Sequence, residues 1–536
     1  MTTRTRLIRF ISILFAATIF AGAAVAGTTQ TATAASTYAA ISGTGSTWSQ
    51  NALDQWRRNV ASNYGMTVNY SGTGSSAGRK DFINGTVDFA VSEIPFQSAP
   101  EDGSAPEKPA NGYAYMPIVA GGTSFMYNLK IGGKRVTNLR LGGETITKIF
   151  TNKITNWNDP QIQADNPGLA MPNKPIVPVV RSDGSGSTAQ FTLWMSKQFS
   201  ALWTAFSGKS GLTSQFPVKG SAKAQSGSLG VAGYVSQPYG EGAITYVEYS
   251  YALKSGYPVA KVLNAAGYYI EPTASSVAVA LLQAAINPTD LTQILDGVYN
   301  NADKRTYPLS SYSYMIVPTN IPTSGSIFTT SKGITLSTFA SYMLCEGQQQ
   351  AAALGYSPLP LNLVKAGFTQ IARIPGSIAT NGDLSKCNNP TFDPANPASN
   401  KLATTAAQPA ACDQKGPNQC TTGTAGAVGV STAVTGTGTG GSASGGTKTA
   451  GTSTGATTGS TTGSAGPGAA AGETGTYDAN GALVSGGSAS GASAVSTPFT
   501  LASSGFGGSQ MMMLAAGLLL VLAILIPPIL SKRLKR

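Results

Sequence analysis

The sequence contains no histidine. That absence removes Ser-His-Asp triads, Cys-His dyads and imidazole metal sites together. Any chemistry falls to hydroxyls, carboxylates, Arg, Lys or backbone amides. Charge is also scarce, at 11% of residues. The formal net charge is still +12, but Arg4, Arg6, Arg9, Lys532, Arg533, Lys535 and Arg536 supply seven of it at the two ends. No run of Lys and Arg interleaved with aromatics remains to line a nucleic-acid groove, so no nucleic-acid partner is expected. Cysteine is limited to Cys345, Cys387, Cys412 and Cys420, none of them in a C-x-x-C pair. Metal and redox motifs therefore have little support, and no cofactor is expected. An even cysteine count in an exported chain favours disulfides. Proximity along the chain favours Cys345 with Cys387 and Cys412 with Cys420.

Long apolar runs are confined to the two ends. Arg4, Arg6 and Arg9 precede an apolar stretch at residues 10–21, and Ala24-Val25-Ala26 forms a small-residue cleavage site. Residues 1–26 thus read as a secretory signal peptide. No cysteine follows to carry a lipid anchor. At the other end, residues 511–530 form an apolar run about long enough to span a bilayer, followed by the basic residues 531–536. A cleaved lipid-anchor signal does not normally end in such a cluster. The expectation is a single-pass cell-membrane protein with its globular part outside and residues 531–536 in the cytoplasm.

Between these ends the composition changes once more. Residues 421–510 are almost wholly Gly, Thr, Ser and Ala, with only Lys448, Glu473 and Asp478 charged. Such a segment buries too little apolar surface to offset its backbone entropy and reads as a flexible stalk. A flexible chain of that length has a root-mean-square span of about 50 Å. The globular part is expected over residues 37–376, with a cysteine-bearing tail at 377–420. Short apolar runs at 66–70, 176–180 and 243–247 suit strands. Ala52, Leu53, Trp56 and Val60 fall at helical spacing, as do Phe191, Trp194, Met195 and Phe199. The pattern is α/β, and its length suggests two lobes.

Three segments share one construction: an apolar strand, a loop of Gly, Ser and Thr, then a helix. The loops lie at residues 42–48, 71–78 and 181–188. Small residues let backbone amides approach a ligand, helix N-termini present unpaired N–H groups, and hydroxyls add donors that rotate to suit. A single such loop is usually an N-cap and a turn. The second also fits the dinucleotide pattern G-x-G-x-x-A, but such cofactors are scarce outside the cell. The third lacks G-x-S-x-G, and no histidine exists to activate Ser185 as a nucleophile. Together, with Arg181 in the third, the loops point to an anion held mainly by neutral donors. An enzyme is not expected.

The runs GTGSTW (43–48), NYSGTGSSAG (69–78), VDFAVSE (87–93), VVRSDGSGST (179–188) and GAITYVEYSYAL (242–253) resemble the phosphate-binding protein of the bacterial phosphate ABC importer. The resemblance spans about residues 41–376 and implies a two-lobed, periplasmic-binding-protein-like α/β fold. Two crossing hinge strands, near residues 119–123 and 310–315, would let the lobes close on one ligand in the cleft between them. Lobe one would comprise residues 37–119 and 311–376, and lobe two residues 120–310. Carried over by position, Thr47, the Trp48 amide, Ser75 and Glu93 would meet the anion from lobe one. Arg181, Ser185, the Gly186 amide and Ser187 would meet it from lobe two, with Asp183 holding the guanidinium.

Glu93 departs from the family pattern, which has Asp there. A carboxylate accepts only, so it favours an oxyanion that still carries a proton, as phosphate does and sulfate does not. Glutamate keeps that chemistry one methylene further out. The expected partners are inorganic phosphate, ABC permease subunits and the membrane, with the chain acting as a monomer. A surface-anchored oxyanion sensor or adhesion protein on the same scaffold is the alternative, motivated by the stalk and the anchor.

Overall fold

A computed structural model describes residues 38–432, apart from 101–102, 322–325, 379–383, 385–386 and 397, together with 476–477 and 483–485. The chain divides into two compact units, Met1–Gly486 and Gly487–Arg536. The second unit, with the expected transmembrane run 511–530 and basic end 531–536, lies outside the described residues, as does the expected signal peptide 1–26. Among the described residues no helix is long and apolar enough to cross a membrane.

The first half of the fold contains β1 (Ile41–Gly45), α1 (Gln50–Tyr64), β2 (Val68–Ser71), α2 (Ser75–Ile83) and β3 (Phe89–Ser92). Strand β4 (Tyr113–Tyr127) leads to the second half, which holds β5 (Val177–Arg181), α3 (Gly186–Gln198), β6 (Lys223–Gln225), α4 (Gly227–Ser236), β7 (Ala243–Glu248) and β8 (Val259–Leu263). Strand β9 (Ser310–Pro318) returns to the first half. Strand β1 runs parallel to both β2 and β3, and β5 runs parallel to both β7 and β6. Parallel strands covered on both faces need continuous apolar runs, and β3 and β7 are buried along their whole length. Helix α1 buries Ala52, Leu53, Trp56 and Val60, the stripe expected from their spacing.

Strands β4 and β9 join the two halves. Residues 113–122 of β4 pair antiparallel with β9, and residues 123–127 pair with β7. Strand β9 also pairs with β3, so the order runs β2-β1-β3-β9-β4-β7-β5-β6 through one continuous sheet. The register between β9 and β4 shifts at Ser313/Tyr314. Bulges of this kind bend a strand and increase its local twist, here at the point where the sheet passes from one half to the other. This is the two-lobed α/β architecture expected from the sequence, with both crossing strands where they were anticipated.

Both disulfides form as proximity favoured: Cys345–Cys387 and Cys412–Cys420. The tail packs on the fold. Buried Arg140 donates to the carbonyls of Cys412 and Asn418 at 3.1 and 2.8 Å and lies over the Tyr269 ring. The contacts continue past residue 420, where the stalk was expected to begin. Thr424 Oγ1 donates to Val259 O at 2.6 Å, Ala425 N to Glu271 Oε1 at 2.6 Å, and Thr137 N to Thr432 Oγ1 at 2.6 Å. Residues 421–432 are therefore part of the folded body, because their hydroxyls and amides satisfy buried groups at Thr137, Val259 and Glu271. Further along, Thr476–Tyr477 pairs with Leu483–Ser485.

Candidate anion-binding site

Each of the three loops follows the C-terminal end of a parallel strand and leads into a helix, and the cleft brings all three together. The β1–α1 loop carries Thr47 and Trp48, the β2–α2 loop leads into Ser75 at the start of α2, and the β5–α3 loop carries Asp183 to Ser185, with Gly186 and Ser187 opening α3. Close approach requires glycine at two positions. Gly45 has φ +133°, and a Cβ there would stand 2.2 Å from Val91 O. Gly74 has φ +93°, and its Cβ would stand 2.6 Å from Asp183 Oδ2, across the cleft. The two halves also touch directly: Ser76 N donates to Gly184 O at 3.0 Å and Ser228 N to Thr47 Oγ1 at 3.1 Å.

Glu93 stands just past the end of β3, 1% exposed. Ser46 and Ser313 donate to its Oε1 at 2.5 and 3.0 Å, and Ser75 donates to Oε2 at 2.8 Å. The Glu93 backbone carbonyl accepts from Gln190 Nε2 at 2.8 Å and from Gln293 Nε2 at 3.2 Å. Burial lifts its carboxyl above the usual range, against the pull of the three hydroxyls and of the Arg181 charge. Ser75 Oγ in turn accepts from Gly186 N at 3.1 Å, which joins the second loop to the N-terminus of α3.

Arg181 is 2% exposed and forms a forked pair with Asp183, whose Oδ1 accepts from Nε at 2.7 Å and whose Oδ2 faces Nη2. Burial alone would raise the Asp183 carboxyl, but the hydrogen bonds and charge of Arg181, with the Gly227 N–H, outweigh it and hold it below its ordinary value. The third guanidinium nitrogen, Nη1, makes only a 3.4 Å contact with Ser228 Oγ. Ser185 caps α3, accepting from Thr188 N at 3.2 Å. Ser187 Oγ is buried and has no hydrogen-bond partner among the described residues. The Trp48 amide donates to Ser46 Oγ at 2.9 Å. Its indole packs on the crossing strand, where a Cβ on Gly121 would stand 2.7 Å from the ring.

The expected site residues therefore gather where the three loops of the two halves meet. Sequence reasoning missed Ser46, Ser313 and Ser228. Ser46 sits inside the first loop, and Ser313 lies on the expected second hinge strand. Ser228 belongs to a fourth Ser/Gly segment, residues 226–228, which opens α4 and carries the same compositional signal as the other three.

A family model described as "PBP superfamily domain" matches residues 29–346. The phosphate-binding protein PstS of Xylella fastidiosa (strain Temecula1) is 32% identical over 329 residues, covering 61% of this chain and 83% of that protein. The phosphate-binding protein PstS of Methanocaldococcus jannaschii is 30% identical over 349 residues, covering 62% and 85%. Among solved structures, the phosphate-binding protein from Stenotrophomonas maltophilia aligns over 65% of this chain and 98% of its own, at 17% identity and a TM-score of 0.48. By the family model and by these sequence relatives, the chain belongs to the phosphate-binding-protein family of the PBP superfamily.

Proposed function

We propose that this chain captures inorganic phosphate outside the cytoplasm and delivers it to an ABC importer, with closure of the cleft signalling occupancy. One observation carries the reading: hydroxyls, helix N-termini and a single forked Arg from both halves of the fold converge on one buried cleft. Such a donor set suits a small tetrahedral oxyanion, because neutral dipoles and one guanidinium stabilise charge without a counter-ion cage. Thr47, the Trp48 amide, Ser75 and Glu93 would face the anion from one side. Arg181, Ser185, the Gly186 amide and Ser187 would face it from the other, with Asp183 orienting Arg181. Binding proceeds without chemical turnover, since the site pairs its hydroxyls with carboxylates and amides and has no imidazole base. The run 511–530 would anchor the protein and the segment from 433 to 510 would give it reach.

Calorimetric titration of the full-length chain with phosphate and then sulfate, at neutral pH, tests this reading. Micromolar or tighter phosphate binding with no response to sulfate is expected. No heat with phosphate would overturn the proposal, and equal binding of both anions would reassign its specificity.

A further inference from the structure

The Glu93 carboxylate already holds partners that an oxyanion would need. Ser75 donates to Oε2 at 2.8 Å, while Ser46 and Ser313 share Oε1 at 2.5 and 3.0 Å. These donors come from two cleft loops and a crossing strand. The carboxylate also lies against the first residue of α3, where a Cβ on Gly186 would stand 1.9 Å from Oε2. A helix N-terminus flanked by hydroxyls is an anion seat, and the group in contact with it belongs to the protein itself. Glutamate gets there because its extra methylene carries the carboxylate about 1.3 Å further than aspartate would. Other donors stay free of it: among the described residues Ser187 Oγ has no partner, and Arg181 Nη1 has only its 3.4 Å contact with Ser228.

We infer that the Glu93 carboxylate is a built-in competitor for the anion, seated in part of the oxyanion site and displaced when an external anion takes the full donor set. This rests on the phosphate reading and gives it a direction that a simple ligand contact would not. If Glu93 were only a ligand contact, shortening it would weaken binding. As a competitor, its shortening strengthens binding, because the Ser75 hydroxyl and the α3 N-terminus are released to the anion. The carboxylate also holds Ser75, whose Oγ accepts from Gly186 N of the other half at 3.1 Å, so retracting it loosens that link in phosphate-free solution.

The test is calorimetry with phosphate on full-length wild type and Glu93→Asp, with amide hydrogen exchange of both in phosphate-free buffer. Expected is binding by Glu93→Asp at least about tenfold tighter than wild type, including the case where only the variant binds. Equal or weaker binding by the variant, with wild type binding well, overturns the competitor role and leaves the phosphate reading intact. If neither protein gives heat, the phosphate reading fails and exchange decides the competitor role alone. Faster exchange across residues 71–78 and 181–188 in the variant then sustains it, and unchanged exchange overturns it.

Discussion

At the scale of single residues, the site is dominated by buried ionisable groups whose environments push them in opposite directions. Asp183 stays ionised because Arg181 grips it with a two-point fork, while Glu93 is lifted by burial. A lysine at position 181 keeps the charge and loses the fork, so both the Asp183 clamp and the donor edge toward Ser228 are lost. Arg181→Lys should weaken phosphate binding by about ten- to a hundredfold, or ~1.4–2.7 kcal/mol, in a calorimetric titration. Away from the anion, Glu248 is buried where β7 meets the crossing strand. It accepts from Ser250 N at 2.7 Å, and its Oε1 has no partner among the described residues. Burial lifts its carboxyl well above the ordinary value of 4.5. Burial likewise lifts Glu271, against the Tyr249 hydroxyl and the Ala425 amide. A carboxyl with a raised folded-state pKa binds its proton more tightly in the folded chain. Its stabilisation is full below the unfolded value and is lost as pH rises through the folded one. The melting temperature should therefore fall as pH rises above the ordinary carboxyl value of 4.5. Glu248→Gln, which keeps the uncharged shape, should flatten that slope in scanning calorimetry.

At the scale of elements, function rests on strand-to-helix turns that approach one another more closely than side chains allow. Gly186 opens α3, and a methyl group there would collide with Glu93 Oε2 and with Ser75 Oγ at 2.8 Å. Were the halves to part, the same methyl group would lose both of these neighbours. Gly186→Ala should thus cost binding, by about a hundredfold or more (~2.7 kcal/mol), and leave the melting temperature almost unchanged. A large loss of stability with intact binding would show that the contact is not a closure contact. The indole of Trp48 reports the same movement, since it packs against Gly121 on β4 and edge-on to Tyr356 at 5.7 Å. Phosphate should change tryptophan emission in the wild type and not in Gly186→Ala.

At the scale of the whole molecule, the fold is closed by its C-terminal tail. The Cys345–Cys387 bridge spans 42 residues and Cys412–Cys420 spans 8, so loop entropy assigns the first about 4 kcal/mol and the second about 2.5 kcal/mol. Replacing Cys345 and Cys387 by Ala should lower the unfolding free energy by up to ~4 kcal/mol in urea titrations, a larger loss than for the other pair. The tail also exchanges hydrogen bonds with the body as far as Thr432, whose Oγ1 accepts from Thr137 N. A chain ending at residue 420 leaves Thr137 N and Val259 N without their threonine acceptors and Glu271 without the Ala425 amide. It should be less stable than a chain ending at residue 432 by about 2–4 kcal/mol, at roughly 1 kcal/mol per hydrogen bond. Equal melting curves for the two would mean that residues 421–432 add nothing to the hold that Arg140 already has on the carbonyls of Cys412 and Asn418.

Local chemistry made much of this readable in one dimension. A missing histidine, three Gly/Ser/Thr loops ahead of helices and an even set of exported cysteines each act through short-range rules of backbone geometry, capping and redox. The α/β class, the crossing strands and the disulfide pairing were accordingly legible. Groups that meet only when the halves close were not. Ser313 and Ser46 reach the same carboxylate oxygen although 267 positions separate them in the sequence. Thr432 looks like any residue of a polar stalk until the buried loop amide of Thr137 needs an acceptor. Whether Glu93 would merely substitute for aspartate or reach the helix N-terminus turned on about one bond length. That was decided by packing, because burial leaves a carboxylate no water to turn to and directs it onto the nearest hydroxyls.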